Sequence, residues 1–125
     1  MSNPKALVAI VDDDQRLLES LEELLESAGH AVRAFSSAET LLNSNALAEI
    51  DCLITDIGMP GMDGFELQRV VSERFPDLPV ILITARDEIA ARPQARQDRF
   101  FRKPFDGRAL LAAVSDAVTG KENSP

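Results

Sequence analysis

"ALVAIVDDDQRLLESLEELLESAGHAVRAF", residues 6–35, decides the fold. Its first six residues are apolar and of strand length, with no polar residue alternating among them. Three carboxylates follow. Then Leu17, Leu18, Leu21, Leu24, Leu25 and Ala28 recur at the spacing that gathers them on one face of a helix. Gly29 stands where that helix would be capped, and "AVRAF" (31–35) returns to strand-forming residues. A wholly apolar strand, an amphipathic helix and a second strand make the unit that builds a parallel sheet, because parallel neighbours need a crossover between them.

The alternation continues. "DCLIT" (51–55), "PVILIT" (79–84) and "RFFR" (99–102) predict three more strands. "SSAETLLNSNALAEI" (36–50), with Ser36 or Ser37 as N-cap, "GFELQRVVSERF" (64–75), ending before Pro76, and "DGRALLAAVSDAVTG" (106–120), stopping at Gly120, predict helices. Five strands alternating with helices argue for a three-layer α/β sandwich, a parallel sheet covered on both faces. The 125 residues suit one domain, expected over 1–120, with residues 121–125 a flexible tail or the start of a linker.

Thirteen Lys and Arg against 21 Asp and Glu leave a net charge of −8, so the average surface repels a polyanion, and direct nucleic-acid binding is not expected. The single cysteine, Cys52, lies in an apolar stretch, reads as core and fits a reducing compartment. No apolar run approaches the roughly 18 residues of a membrane span. A cytoplasmic protein is the expectation.

In such a sheet, ligands gather beyond the carboxyl ends of the strands, where strand order reverses. Asp12 and Asp13 close the first strand, Asp56 the third, Thr84 the fourth and Lys103 the fifth. Asp14 is accounted for as a helix N-cap, where an acid also suits the positive end of the dipole. Asp12 and Asp13, beside Asp56, are not. Like charges so close resist joint ionisation, and a divalent cation resolves the repulsion. Hard oxygen donors of this kind suit Mg²⁺, which keeps several waters and favours carboxylates together with phosphate oxygens. Lys103 reads either as an ion-pair partner of the acids or as the cation that neutralises charge on a transferred phosphoryl group. Thr84, followed by the small Ala85, leaves its hydroxyl room to bind a phosphoryl oxygen. Pro104 constrains the loop that aims Lys103, and Gly61 and Gly64 in "MPGMDGF" (59–65) permit a tight turn after Asp56.

"IVDDD", "LITDIGMPGMDGFEL", "ILITA" and "FRKPF", in this order and at roughly these separations, resemble the receiver domain of two-component response regulators, in the subgroup attached to helix-turn-helix output domains. The resemblance covers residues 6 to about 118. It implies a flavodoxin-like fold with strand order 2-1-3-4-5. It implies Asp56 as phosphoacceptor for a sensor histidine kinase or phosphotransfer protein, with slow self-dephosphorylation. Asp13 and Asp56 would bind Mg²⁺ directly with the backbone carbonyl of Gly58, Asp12 mainly through water. Thr84 and Lys103 would contact the phosphoryl group. Phe100, three residues before the lysine, would be the switch aromatic, coupled to Thr84 by packing alone because it lacks a tyrosine's hydroxyl.

One segment departs from the family pattern. Between Thr84 and Lys103 the chain is short by about one helical turn, and Pro93 interrupts the expected fourth helix. That helix is expected to be truncated, displaced or unwound. Arg86, Arg92, Arg96, Arg99 and Arg102 cluster there in an otherwise acidic protein, as a solvated face or as part of an output surface. In the family the fourth-helix and fifth-strand face commonly carries a homodimer contact, so the departure bears on output more than on chemistry. Two other readings stand beside the phosphoacceptor. One is an interaction module with a receiver fold, independent of phosphorylation. The other is a phosphatase or phosphotransferase of the haloacid dehalogenase type, disfavoured because Gly58 stands where the second acid would be and no cap domain fits.

Overall fold

The strand–helix–strand unit forms where the sequence places it. β1 (Leu7–Val11) leads into α1 (Gln15–Ser27), and β2 (Ala31–Phe35) returns parallel to β1, in register from Leu7 opposite Ala31 to Val11 opposite Phe35. Asp14 is the N-cap of α1; its side chain accepts from the backbone N–H groups of Arg16 at 3.0 Å and Leu17 at 3.5 Å. At the other end Gly29 adopts φ +94°, and the N–H groups of Gly29 and His30 return to the carbonyls of Glu26 and Leu25. A left-handed residue there turns the chain out of the helix and satisfies its last carbonyls. Leu18, Leu21 and Leu25 are buried by the fold, each contributing about 1.5–3 kcal/mol of transfer free energy.

The computed structural model describes residues 6–84, 100–103 and 105–122. β3 (Cys52–Asp56), β4 (Val80–Thr84) and β5 (Phe100–Arg102) complete a five-stranded parallel sheet in the order β2-β1-β3-β4-β5. Each β-strand sends alternate side chains to opposite faces. Ala9, Val11, Leu53 and Leu82 pack with Leu41 of α2 (Ala38–Asn43) and with Leu67 and Val71 of α3 (Gly64–Arg74). Val8, Ile10, Cys52, Ile54, Ile81 and Ile83 pack with α1 and with Leu110 and Val114 of α4 (Gly107–Glu122). Cys52 is buried core, as its apolar surroundings suggested.

Two helices differ from the expectation. Residues 36–50 do not form one helix: α2 stops at Asn43, Asn45 takes φ +64°, and a 3-10 turn covers Ala46–Ala48. Ser44 drives the break, since its hydroxyl donates to the Leu41 carbonyl at 2.7 Å and accepts from the Ala46 N–H at 3.2 Å. Local side-chain bonds of this type compete with helix continuation. The last helix runs on to Glu122, two residues beyond Gly120. The expected fourth helix and its arginines from Arg86 to Arg99, together with Pro104, lie outside the described residues. Among the described residues, no helix is long and apolar enough to cross a membrane.

Candidate functional site

Strand register brings the polar residues to one rim. Val11 pairs with Thr55, so Asp12, the next residue after β1, stands level with Asp56 at the end of β3. Asp56 pairs with Ile83, which places Thr84 one step further out on β4. Thr84 pairs with Arg102, and Lys103 follows directly. Two backbone bonds pin this rim: the Lys103 N–H donates to the Thr84 carbonyl at 2.7 Å, and the Asp12 N–H to the Phe35 carbonyl at 3.2 Å.

The side chains converge. Lys103 Nζ donates to Asp12 Oδ2 at 3.1 Å and lies 3.4 Å from Asp56 Oδ1. Asp12, Asp56 and Thr84 are buried, at 1%, 5% and 1% exposure. Asp13 is exposed, yet carboxylate oxygens of Asp12, Asp13 and Asp56 lie within 4.8 Å of one another. Asp12 Oδ1 also accepts from the Asp14 N–H at 2.9 Å.

Electrostatically the pocket is strained. Burial pushes the Asp12 carboxyl above its ordinary range, and the neighbouring Asp56 charge adds to this; the Asp14 N–H and Lys103 pull the other way without winning. For Lys103, burial disfavours the ammonium, but attraction to Asp12 and Asp56 outweighs it, and its pKa is raised. One lysine is thus shared between two buried acids while a third carboxylate stands close by. The donor set is all oxygen and all carboxylate, which fits a hard divalent cation and would not suit a soft one.

Gly58 lies in the exposed turn after Asp56, the loop that carries the backbone carbonyl expected to face the metal. Gly61 in that loop has φ +76°, a conformation that favours glycine. Gly64 is needed for a different reason. A Cβ there would strike the Asp56 carbonyl oxygen, so α3 begins hard against the backbone of β3. Asp63 and Glu66 close a capping box at this helix start, a D-x-x-E pattern legible in "DGFE" that sequence reading passed over as a glycine-rich turn.

Phe100 and Phe101 take opposite faces. Phe100 joins the α2/α3 layer with its ring 6.1 Å from that of Phe65, and Phe101 joins the α1/α4 layer beside Phe105. Sequence reading did not single out Phe65. It also missed Glu39, whose carboxylate accepts from the Met62 N–H at 3.1 Å across 23 residues of chain. No local pattern announces a contact of that range.

The family model of the response regulator receiver domain matches residues 8–115. The chain is 36% identical to the response regulator protein TmoT of Ectopseudomonas mendocina over all of this chain and 60% of that protein. It is also 36% identical to the transcriptional regulatory protein FixJ of Azorhizobium caulinodans, over 89% of this chain and 54% of that one. The chain therefore spans only about half to three fifths of these relatives. Among solved structures it is similar to a receiver domain protein from Clostridium thermocellum, at TM-score 0.83 and 27% identity over 94% of this chain and 97% of that one. With the motifs, the sheet order and the family model in agreement, the chain belongs to the response regulator receiver domains.

Proposed function

We propose that this receiver is an active phosphoacceptor: Asp56 takes a phosphoryl group from a phosphohistidine on a sensor histidine kinase or phosphotransfer protein, in a Mg²⁺-dependent step. The observation that carries this reading is the Lys103 ammonium, 3.1 Å from Asp12 and 3.4 Å from Asp56, in a pocket where a third carboxylate approaches. Structural ion pairing alone needs one acid per lysine. Asp12, Asp13 and Asp56, with the backbone carbonyl of Gly58, are the groups that would hold the metal. Bound there, Mg²⁺ supplies charge neutralisation for the phosphoryl oxygens.

The chain's own residues do the remainder. An Asp56 oxygen attacks phosphorus in line. The P–O bond forms as the P–N bond to the donor histidine breaks, and the departing imidazole takes a proton from solvent. Such a transfer needs positioning and charge compensation more than acid–base catalysis by the protein. Lys103 compensates the added charge. Thr84, buried at the end of β4, offers its hydroxyl to the phosphoryl group. Its displacement would be passed to Phe100, which pairs through Leu82 with the same strand and borders a cavity of about 180 Å³ with Leu78, Val80 and Leu82.

Relatives named as transcriptional regulators, of which this chain covers about half, support a receiver that gates an output domain in the cytoplasm. The net charge of −8 leaves any nucleic-acid contact to that other domain. A homodimer through the β5 region would be one route of output. Incubation with Mg²⁺ and acetyl phosphate tests the reading by intact mass. One added phosphoryl group is expected in the wild type and none in Asp56→Ala or without Mg²⁺. An unmodified wild type would overturn the reading in favour of a phosphorylation-independent interaction module.

A further inference from the structure

The loop between β3 and α3 leaves Asp56 and must present the Gly58 carbonyl to the pocket if the metal site described above is correct. Its two ends are held by the elements it joins and by β4. The Ile57 N–H donates to the Ile83 carbonyl at 2.9 Å, the Gly64 N–H to the Ile57 carbonyl at 2.9 Å, and the Asp63 N–H to Glu66 at 3.2 Å. Its tip is held from elsewhere. The Met62 N–H donates to Glu39 Oε2 at 3.1 Å, and Glu39 belongs to the first turn of α2.

Two features indicate that this contact is built rather than incidental. Ser37 already caps α2 by accepting from the Thr40 N–H at 3.1 Å, so the helix itself does not need the Glu39 carboxylate. Gly61, at φ +76°, also approaches Glu39 so closely that a Cβ there would stand 3.0 Å from Oε2. The left-handed backbone at Gly61, which favours glycine, thus carries the chain close past the acid and into the Met62 amide that bonds it.

We propose that Glu39 is a positioning residue for the metal side of the pocket: from α2 it fixes the tip of the β3–α3 loop, and so the placement of the Gly58 carbonyl. It touches neither metal nor phosphoryl group. The proposal rests on the reading of Asp12, Asp13, Asp56 and Gly58 as a Mg²⁺ site, and the test separates the two.

Mg²⁺ affinity is measured by calorimetry for the wild type, Glu39→Ala and Glu39→Gln, alongside hydrogen exchange of the Met62 amide in metal-free protein. Glu39→Ala is expected to weaken Mg²⁺ binding by about three- to tenfold, the worth of one ordinary hydrogen bond, and to speed exchange at Met62. Glu39→Gln, which keeps a carbonyl acceptor, recovers most of the affinity; a merely charge-based role would not be rescued in this way. Equal Mg²⁺ affinity in the wild type and Glu39→Ala overturns the positioning role alone. Glu39→Gln binding as weakly as Glu39→Ala also overturns it, by pointing to charge rather than the hydrogen bond. A wild type that binds no Mg²⁺ overturns the metal site and this role with it.

Discussion

β1 and β3 each join an apolar, fully buried stretch to a buried acid. Val8 to Val11 and Cys52 to Ile54 are at most 1% exposed and pack only against apolar layers, yet the same strands run on into Asp12 and Asp56, which stay buried as carboxylates. Along the strands, burial and chemistry agree, and each side chain stabilises the fold. At their carboxyl ends burial opposes chemistry, and ionised Asp12 is disfavoured where it sits. Stability is made in the one region and spent in the other, a contrast that is frequent at functional sites.

The sharpest way to test this contrast is to damage each region separately. Ile54→Ala, at a fully buried position on β3, is expected to cost about 2–5 kcal/mol in chemical denaturation. A cost below that range would mean the sheet interior relaxes more readily than its packing implies. Gly64→Ala sits at the boundary between the regions, because its Cβ would strike the Asp56 carbonyl. Overpacking of this kind is expected to cost about 1–3 kcal/mol, and acetyl phosphate labelling should slow even at temperatures where the variant remains folded.

Rim substitutions should act in the opposite direction. Asp12→Asn keeps an acceptor for the Asp14 N–H and leaves Lys103 paired with Asp56, while removing a charge the site disfavours. In metal-free protein at neutral pH it is expected to raise stability by about 1 kcal/mol. The pH dependence has a definite sign. Because the folded pKa of Asp12 lies above its ordinary 3.8, its contribution is fully present below that value and is lost as pH rises through the folded value. Stability of the variant should therefore fall less than that of the wild type over that window. Lys103 behaves likewise further up the scale, contributing below 10.5 and losing its contribution as pH rises through the raised value. A stability–pH curve identical in Asp12→Asn and wild type would show that the rim is not strained. An effect on stability alone is expected at Asp14, whose side chain caps α1. Asp14→Ala should cost about 1 kcal/mol in thermal unfolding and leave phosphorylation unchanged.

The same contrast explains what the sequence made legible. Residues 6–35 disclosed the parallel sheet because their apolar spacing switches from strand to helix and back, and periodicity is a local signal. Asp12, Asp13, Asp56, Thr84 and Lys103 could be gathered at one rim because each follows or ends a strand, so topology alone brings them together. Residues 36–50 misled because the leucines keep helical spacing through Ser44 and Asn45, whose side-chain and left-handed geometry break the helix. The Phe65–Phe100 pair and the Glu39–Met62 bond were invisible for another reason: they join residues 35 and 23 positions apart on different elements, and no pattern in the chain encodes the meeting of those surfaces.

If acids crowd this rim because a magnesium ion shares it with Lys103, the metal must stabilise the fold. Thermal unfolding as a function of Mg²⁺ concentration reads this out. The wild-type midpoint is expected to climb with Mg²⁺, reflecting about 2.7 kcal/mol at a hundredfold excess over the dissociation constant, and Asp13→Ala to lose most of the climb. A wild-type midpoint indifferent to Mg²⁺ at every concentration would contradict it.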